Sequence, residues 1–190
     1  TTLRFFLEEV PYEHGFLYHF LDMETGERVW DSEVSSIDTA LFLAGALLAG
    51  EYFKGTEVEQ LAQKLYERVD WRWMLNRGET LCMGWKPEEG FSQARWADYA
   101  EHMILYLLAI GAPTHPISPE CWDAWTRPIV KRFDLQYIYN PYESLFVYLY
   151  SHAWIDFRGK RDRYANYWKN SVNAIKANRE FCIQHMDEYK

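Results

Sequence analysis

The sequence predicts a mainly α-helical chain with short β-hairpins, and three observations predict it. Apolar runs at residues 37–53, 96–110 and 142–151 alternate with amphipathic stretches at 56–69 and 164–185. Glycine and proline punctuate the boundaries, and neither a short solenoid repeat nor a low-complexity segment occurs. A helix apolar on nearly every side is buried, whereas a helix with one dry stripe sheathes it. Concentric packing of inner and outer helices produces this alternation, so a toroid of helical hairpins fits the pattern; a bundle satisfies it too.

The first helix carries Leu3, Phe6 and Leu7 and ends before Pro11. Residues 15–20 and 27–30 then read as two strands joined by a turn at Met23-Glu-Thr-Gly26, a hairpin forming a lip over one face. Ser35 or Ser36 caps the next helix, over about 36–53. Small residues at Ala40, Ala44, Gly45, Ala46 and Ala49 let neighbouring helices approach it closely. After Gly55, Thr56-Glu-Val-Glu59 is a capping box opening an amphipathic helix through Leu61, Leu65 and Val69, with Gln63, Lys64, Glu67 and Arg68 facing out. Residues 76–95, with Gly78, Gly84, Pro87 and Gly90, read as a long irregular loop of the kind that often carries function. The apolar helix of about 96–110 ends at Gly111-Ala-Pro113, and Ser118-Pro-Glu opens a short helix. A polar connection leads to a helix over about 142–151, and the last helix follows Gly159.

Composition narrows the function. In 190 residues, 48% are hydrophobic and 18% aromatic, with 9 Trp and 14 Tyr, which excludes a disordered protein and suits either a core or a sugar-binding cleft. A formal charge of -8 argues against nucleic acid, whose phosphates require a basic patch, and against adsorption to anionic membranes. No uncharged apolar run reaches the roughly 20 residues that a bilayer requires, so no membrane insertion by this segment is expected. No signal peptide is read at the start. Cys82, Cys121 and Cys182 lie far apart, without metal-site pairing, and read as buried free thiols. His14 and His19 stand at odd separation, on opposite strand faces, which disfavours a metal site. No phosphate loop or nucleophile elbow occurs, and no cofactor is expected.

Three acidic places remain. Glu33 and Asp38 lie before and within the first turn of one apolar helix; Asp98 and Glu101, three apart, share a face at the start of another; Asp156 follows the third. Glycoside hydrolysis needs two carboxyl groups in different states, one protonating the leaving oxygen and one activating water or attacking carbon. Capping or dipole compensation is the alternative role for each acid. A helix start also stabilises the ionised form, so Glu101 serves as an acid only if neighbours such as Trp96, Tyr99 and Met103 desolvate it. Trp30, Trp85 and Trp96 lie near these acids or in the Gly-bearing loop, where they stack on sugar rings or fill the core. His152 with Asp156 reads as a donor pair for sugar hydroxyls or as structural, and Arg158 as a partner for a carboxylate or for substrate.

At these residues the chain resembles the bacterial glycoamylase-like family, which includes the endo-β-1,2-glucanases of glycoside hydrolase family 144. The matching segments are HGFLYHFLDMETGERVW (14–30), EVSSIDTALFLAGAL (33–47), RVDWRWMLN (68–76), LCMGWKPEEGF (81–91), ADYAEHMILYLLAIGAPTHPI (97–117) and YSHAWIDFRGKRD (150–162). The resemblance implies an (α/α)6 toroid that hydrolyses a glucan, β-1,2-linked, with inversion at the anomeric carbon. It implies Glu101 as general acid, with Glu33 and Asp38 in the central acidic cleft. Ser36 stands for the family's Thr, Ala100 for its Ser, and Tyr148 and Leu149 for a His and a Gln, with Glu143 a newcomer nearby. Because the likeness begins and ends in mid-domain, residues 1–190 read as a single glycoamylase-like domain, either the central portion of a larger toroid whose remainder would be its partner or a truncated homologue. An oligosaccharide or polysaccharide is the expected ligand, and export to the periplasm or medium the expected compartment. A non-catalytic domain that binds glucan or controls its length, and a scaffold whose acids are only caps, are the competing readings.

Overall fold

The computed structural model describes residues 2–142 and 144–188. Glu143 lies outside the described residues. Helices predominate, with three small antiparallel sheets. The chain divides into two compact units, one of Thr1–Ala97 with Ile104–Ala124 and one of Asp98–Met103 with Trp125–Lys190.

The first unit begins with α1 (Thr2–Glu8), followed by a tight hairpin of β1 (Tyr12–Glu13) and β2 (Phe16–Leu17). The expected hairpin of 15–20 with 27–30 forms in part. The Asp22 carboxylate accepts from the N–H groups of Glu24 and Thr25 in its turn, and the returning segment pairs at the bridge Leu21–Arg28, with the Asp22 N–H donating to the Glu27 carbonyl and the Val29 N–H to that of Phe20. Trp30 and Asp31 adopt φ of 57° and 48°, which ends extended pairing there.

β3 (Val34–Ser35) then runs straight into α2 (Ser36–Tyr52), with Ser35 as its N-cap. The cap side chain accepts from the Asp38 N–H at 3.2 Å. Ser36 is fully buried. Its hydroxyl lies 2.9 Å from the Cys82 carbonyl and accepts the indole N–H of Trp96 at 2.9 Å. The Thr39 hydroxyl donates to the Ser35 carbonyl at 2.7 Å and accepts the Leu17 N–H at 2.9 Å, tying β2 to the helix.

α3 (Glu57–Glu67) packs on α2 through Leu61, Ala62, Leu65 and Tyr66, with the Thr56 hydroxyl accepting from the Val58 N–H. The two helices come close at Gly50, where an added Cβ would lie 3.1 Å from the Cβ of Ala62. Yet α2 buries only one face within its unit and leaves Leu48 and Tyr52 exposed, so the expectation of burial all round is corrected.

After α4 (Trp71–Leu75), the stretch expected to be irregular contains β4 (Gly84–Lys86) and β5 (Gly90–Phe91), which extend β3 into a three-stranded sheet. Ser35 pairs with Gly84, Val34 with Trp85, and Trp85 with Phe91. α5 spans Met103–Ile110 rather than 96–110. Before it, Trp96 gives its N–H to the Leu81 carbonyl and Tyr99 to that of Thr126. The Tyr106 hydroxyl holds this turn by donating to the Trp96 carbonyl at 2.9 Å. A 3-10 helix, Pro119–Asp123, occupies the place of the short helix expected after Ser118.

The second unit is built round Tyr99, which is fully buried among Trp125, Tyr148 and Tyr167. Burial pushes its phenol above the ordinary tyrosine range. Asn140 donates to the Tyr99 carbonyl at 2.6 Å, and Asn170 donates to its hydroxyl at 3.2 Å while accepting from the Ile138 N–H at 2.6 Å. The polar connection contains a hairpin, β6 (Ile129–Arg132) and β7 (Leu135–Ile138), turning on Phe133 and Asp134 at φ 50° and 59°. The helix expected over 142–151 is instead two 3-10 turns, Leu145–Tyr148 and Tyr150–Ala153, in keeping with its aromatic and β-branched residues. α6 (Tyr167–Gln184), capped by Asn166, packs on β7. Cys82 and Cys121 are buried thiols, but Cys182, on α6, is exposed, which corrects the expectation for that residue.

Replacing Ser36 by Ala would strip the Trp96 N–H and a strand carbonyl of a buried partner. The expected loss is about 1–3 kcal/mol, read as a lowered midpoint in urea unfolding; an unchanged midpoint would dissociate this hydroxyl from the stability of the unit.

Candidate functional site

The β3–α2 junction places two carboxylates side by side. Tyr18 bridges to Val34 and the His19 N–H donates to the Glu33 carbonyl at 2.8 Å, so the His19 and Glu33 side chains meet across the strands. The imidazole Nδ1 lies 2.9 Å from Glu33 Oε1, and Nε2 lies 3.5 Å from Asp38 Oδ2. Asp38 also accepts from the Ser35 hydroxyl, reciprocating the cap. Both carboxylates remain open to solvent, Glu33 at 36% and Asp38 at 42% side-chain exposure. The capping role read for Asp38 is thus present alongside an open carboxylate.

Burial raises the Glu33 pKa, but its own backbone N–H, the His19 bond and the charges of His19 and Lys86 outweigh that and hold it below the ordinary value of 4.5. Glu33 is therefore an ionised acceptor at neutral pH.

Aromatic rings border the pair. Phe20 stacks on His19 at 4.1 Å, and Trp30, 80% exposed, sits 5.1 Å from Phe20. A bulky residue held open in the left-handed region is uncommon, and such outliers cluster at functional places. Trp85 is half-buried on β4, opposite Val34. Trp96 behaves otherwise: its indole is only 7% exposed and its N–H is bonded to Ser36. The stacking role expected for Trp96 is corrected to a core role.

The remaining candidates belong to the second unit. Asp98 is exposed and accepts from the Thr126 hydroxyl. Asp98 and Glu101 precede α5, so the helical face they were expected to share does not form. Glu101 is half-buried, with its carbonyl accepting from the Ser151 hydroxyl at 2.7 Å. Next to it, His102 is wholly buried, edge-on to Trp125 at 4.7 Å. Burial and then the Arg127 charge push its pKa down to about 3, so the imidazole is neutral.

The expected His152–Asp156 pair is absent. His152 Nε2 lies 2.9 Å from the Ser171 hydroxyl, and burial lowers its pKa, while Asp156 accepts two bonds from the Arg158 guanidinium at 2.8 and 2.9 Å. Those bonds hold the Asp156 carboxyl far below the usual carboxylate range. All three nevertheless line one shallow hollow with Trp168. Arg158 thus pairs with an exposed carboxylate on its own loop, not with an internal one.

Within the first unit, then, the structure gathers Glu33, Asp38, Trp30 and Trp85. Sequence reasoning passed over His19 and Phe20, because their value lies in pairing across strands. His19 was weighed only as a metal ligand; among the described residues no group of three His, Cys, Asp or Glu side chains is placed to hold a metal ion. No helix among them is long and apolar enough to cross a membrane.

Solvent-facing carboxylates bordered by open aromatic rings, on a mostly helical scaffold, define an acid–aromatic class of site. The chain belongs to the glycoamylase family, described as "Putative glucoamylase", whose sequence pattern matches residues 93–190. It is 27% identical over 222 aligned residues to an exo β-1,2-glucooligosaccharide sophorohydrolase (non-reducing end) of Parabacteroides distasonis, covering 97% of this chain and 31% of that protein. Among solved structures it resembles an endo-β-1,2-glucanase from Chitinophaga pinensis in complex with sophorotriose and glucose: TM-score 0.82, 29% identity, 96% of this chain and 49% of that one. A Bacteroides uniformis structure described as a putative glucoamylase shares the fold, with TM-score 0.88 at 23% identity, over 97% of this chain and 50% of that one. The chain thus spans between about a third and a half of the length of these relatives.

A depressed carboxyl pKa adds stability above the unfolded-state value and loses it as pH falls through the folded value. Acidification below pH 4.5 should therefore cost the wild-type protein more stability than Glu33→Gln. Thermal midpoints measured across that range test this; parallel acid limbs would show that Glu33 gains nothing from His19 and the backbone.

Proposed function

We propose that this chain is part of a glycoside hydrolase that cleaves β-1,2-linked glucan with inversion, by general acid–base chemistry. The observation that carries the proposal is the ionised, solvent-open Glu33–Asp38 pair beside exposed aromatic rings, in a family member whose relatives bear the names of β-1,2-glucan hydrolases. Carboxylates of this kind accept hydrogen bonds from sugar hydroxyls, and indole faces receive the C–H faces of pyranose rings.

Glu101 is the proton donor on this reading. An acid must keep its proton until the leaving oxygen needs it, which calls for partial withdrawal from water. Its half-buried seat, next to the wholly buried His102, supports that role. The same reading takes residues 1–190 as one domain, the central portion of an (α/α)6 toroid, completed by the remainder of the parent protein. Alternation of apolar and amphipathic helices supports it.

Replacing Glu101 by Gln in the complete protein should lower the release of reducing ends from β-1,2-glucan by about 10²–10⁴-fold, with the circular dichroism spectrum unchanged. Undiminished turnover would reject Glu101 as the acid. Wild-type protein that binds β-1,2-glucan but releases no reducing ends would select a binding or length-controlling domain instead, and comparison with β-1,3- and α-1,4-glucans tests the linkage.

A further inference from the structure

A cavity of about 510 Å³ opens over the β3–β4–β5 sheet, lined by Glu33, Gly84, Trp85, Lys86, Phe91 and Gln93 among others. Its size falls within the range of small-ligand pockets. Trp85 and Phe91 are directly opposed on β4 and β5, so their side chains stand on the same face. Both rings rest on Trp73, at 5.5 and 4.8 Å, and Trp73 stacks in turn on His14 at 4.3 Å. The aromatic bed is thereby braced from beneath.

The rim is polar. Glu33 crosses directly over Gly84, where an added Cβ would lie 2.6 Å from Glu33 Cγ and 2.6 Å from the Val34 carbonyl oxygen. Only glycine lets the carboxylate reach the cavity this way. Lys86 offers an ammonium whose nearest carboxylate, Glu89, is 3.8 Å away, and Gln93 adds an amide. An apolar ligand would leave these rim groups dehydrated without partners. An anion would meet Glu33 and Glu89. A neutral ring bearing many hydroxyls satisfies both parts, with its C–H face on the aromatic bed and its hydroxyls donating to Glu33 and accepting from Lys86 and Gln93.

Resting on the reading of this protein as a β-1,2-glucan hydrolase, we propose that the cavity is a pyranose subsite for one glucose unit of the chain, with Trp85 and Phe91 as its platform and Glu33 as the residue it shares with the His19–Asp38 cluster. The subsite is a binding element.

Calorimetric titration of the complete protein with β-1,2-linked glucotriose tests it. Trp85→Ala should weaken binding about tenfold, near 1.4 kcal/mol, and Trp85→Phe, which keeps an apolar face, should restore most of the loss. Gly84→Ala should weaken binding by displacing Glu33. If Trp85→Ala does not fold, Lys86→Met and Gln93→Ala on the rim carry the test, and a weakened affinity in either supports the subsite. Wild-type affinity in folded Trp85→Ala, or in both rim variants, overturns it, as does an unmodified protein that binds no trisaccharide. Hydrolysis separates the two readings. Weakened binding in Trp85→Ala together with full turnover in Glu101→Gln leaves the subsite standing and removes the assigned acid. Normal binding in Trp85→Ala with turnover abolished in Glu101→Gln does the reverse.

Discussion

The passage of strand β3 into helix α2, over six residues from Val34 to Thr39, is the constraint on which the first unit depends. Four of these residues make bonds that fix the helix start or a neighbouring segment. Val34 pairs with Trp85, Ser35 caps the helix, the Ser36 hydroxyl takes the Trp96 N–H, and Thr39 takes the Leu17 N–H. A helix start leaves backbone donors without intrahelical partners, and the serine and threonine side chains here use those vacancies to bind the segments packed around them. Because the junction is fixed, Glu33 on its strand side and Asp38 on its helix side are fixed as well. Their carboxylates meet one imidazole without either leaving solvent. The scaffold and the acidic site therefore have a common origin.

In the second unit the organising element is Tyr99. A buried phenol and peptide need partners, and two asparagines supply them from a hairpin edge and from α6. Those bonds, together with the Tyr99 N–H to the Thr126 carbonyl, explain why residues 98–102 do not join α5 although their composition is helical. The backbone here is satisfied by tertiary partners, so local propensity loses. Glu101 is carried in this irregular turn, its carbonyl fixed by Ser151.

Much of this was legible in the sequence because it is local. The Ser35 cap, the boundaries of α2 and the amphipathic face of α3 all follow from spacing and residue type. What sequence concealed is pairing between distant segments. The two-residue strands β3 and β5 are too short to show a period of two, and the β6–β7 turn uses Phe133 and Asp134 at positive φ, where the usual turn signal is Asn-Gly. The site divides along the same line. Glu33, Asp38 and Trp30 stand out in the chain, whereas His19, whose role comes from the cross-strand bond to Glu33, does not. Trp96 misled for a related reason: nearness in sequence to Asp98 and Glu101 says nothing of the Ser36 hydroxyl that holds its N–H in the core.

On the proposed function these environments amount to a division of labour. General acid–base hydrolysis requires carboxyl groups whose affinities for protons are pushed apart, and the means available are solvent, charge and hydrogen bonds. Glu33 is open to water and supported by His19, Lys86 and a backbone N–H, which favours the ionised form despite partial burial. Such a group is suited to accepting hydroxyl protons from substrate and ill suited to delivering one. A donor must come from a drier place, and on that reading the half-buried Glu101, next to the wholly buried His102, is the acid assigned to it.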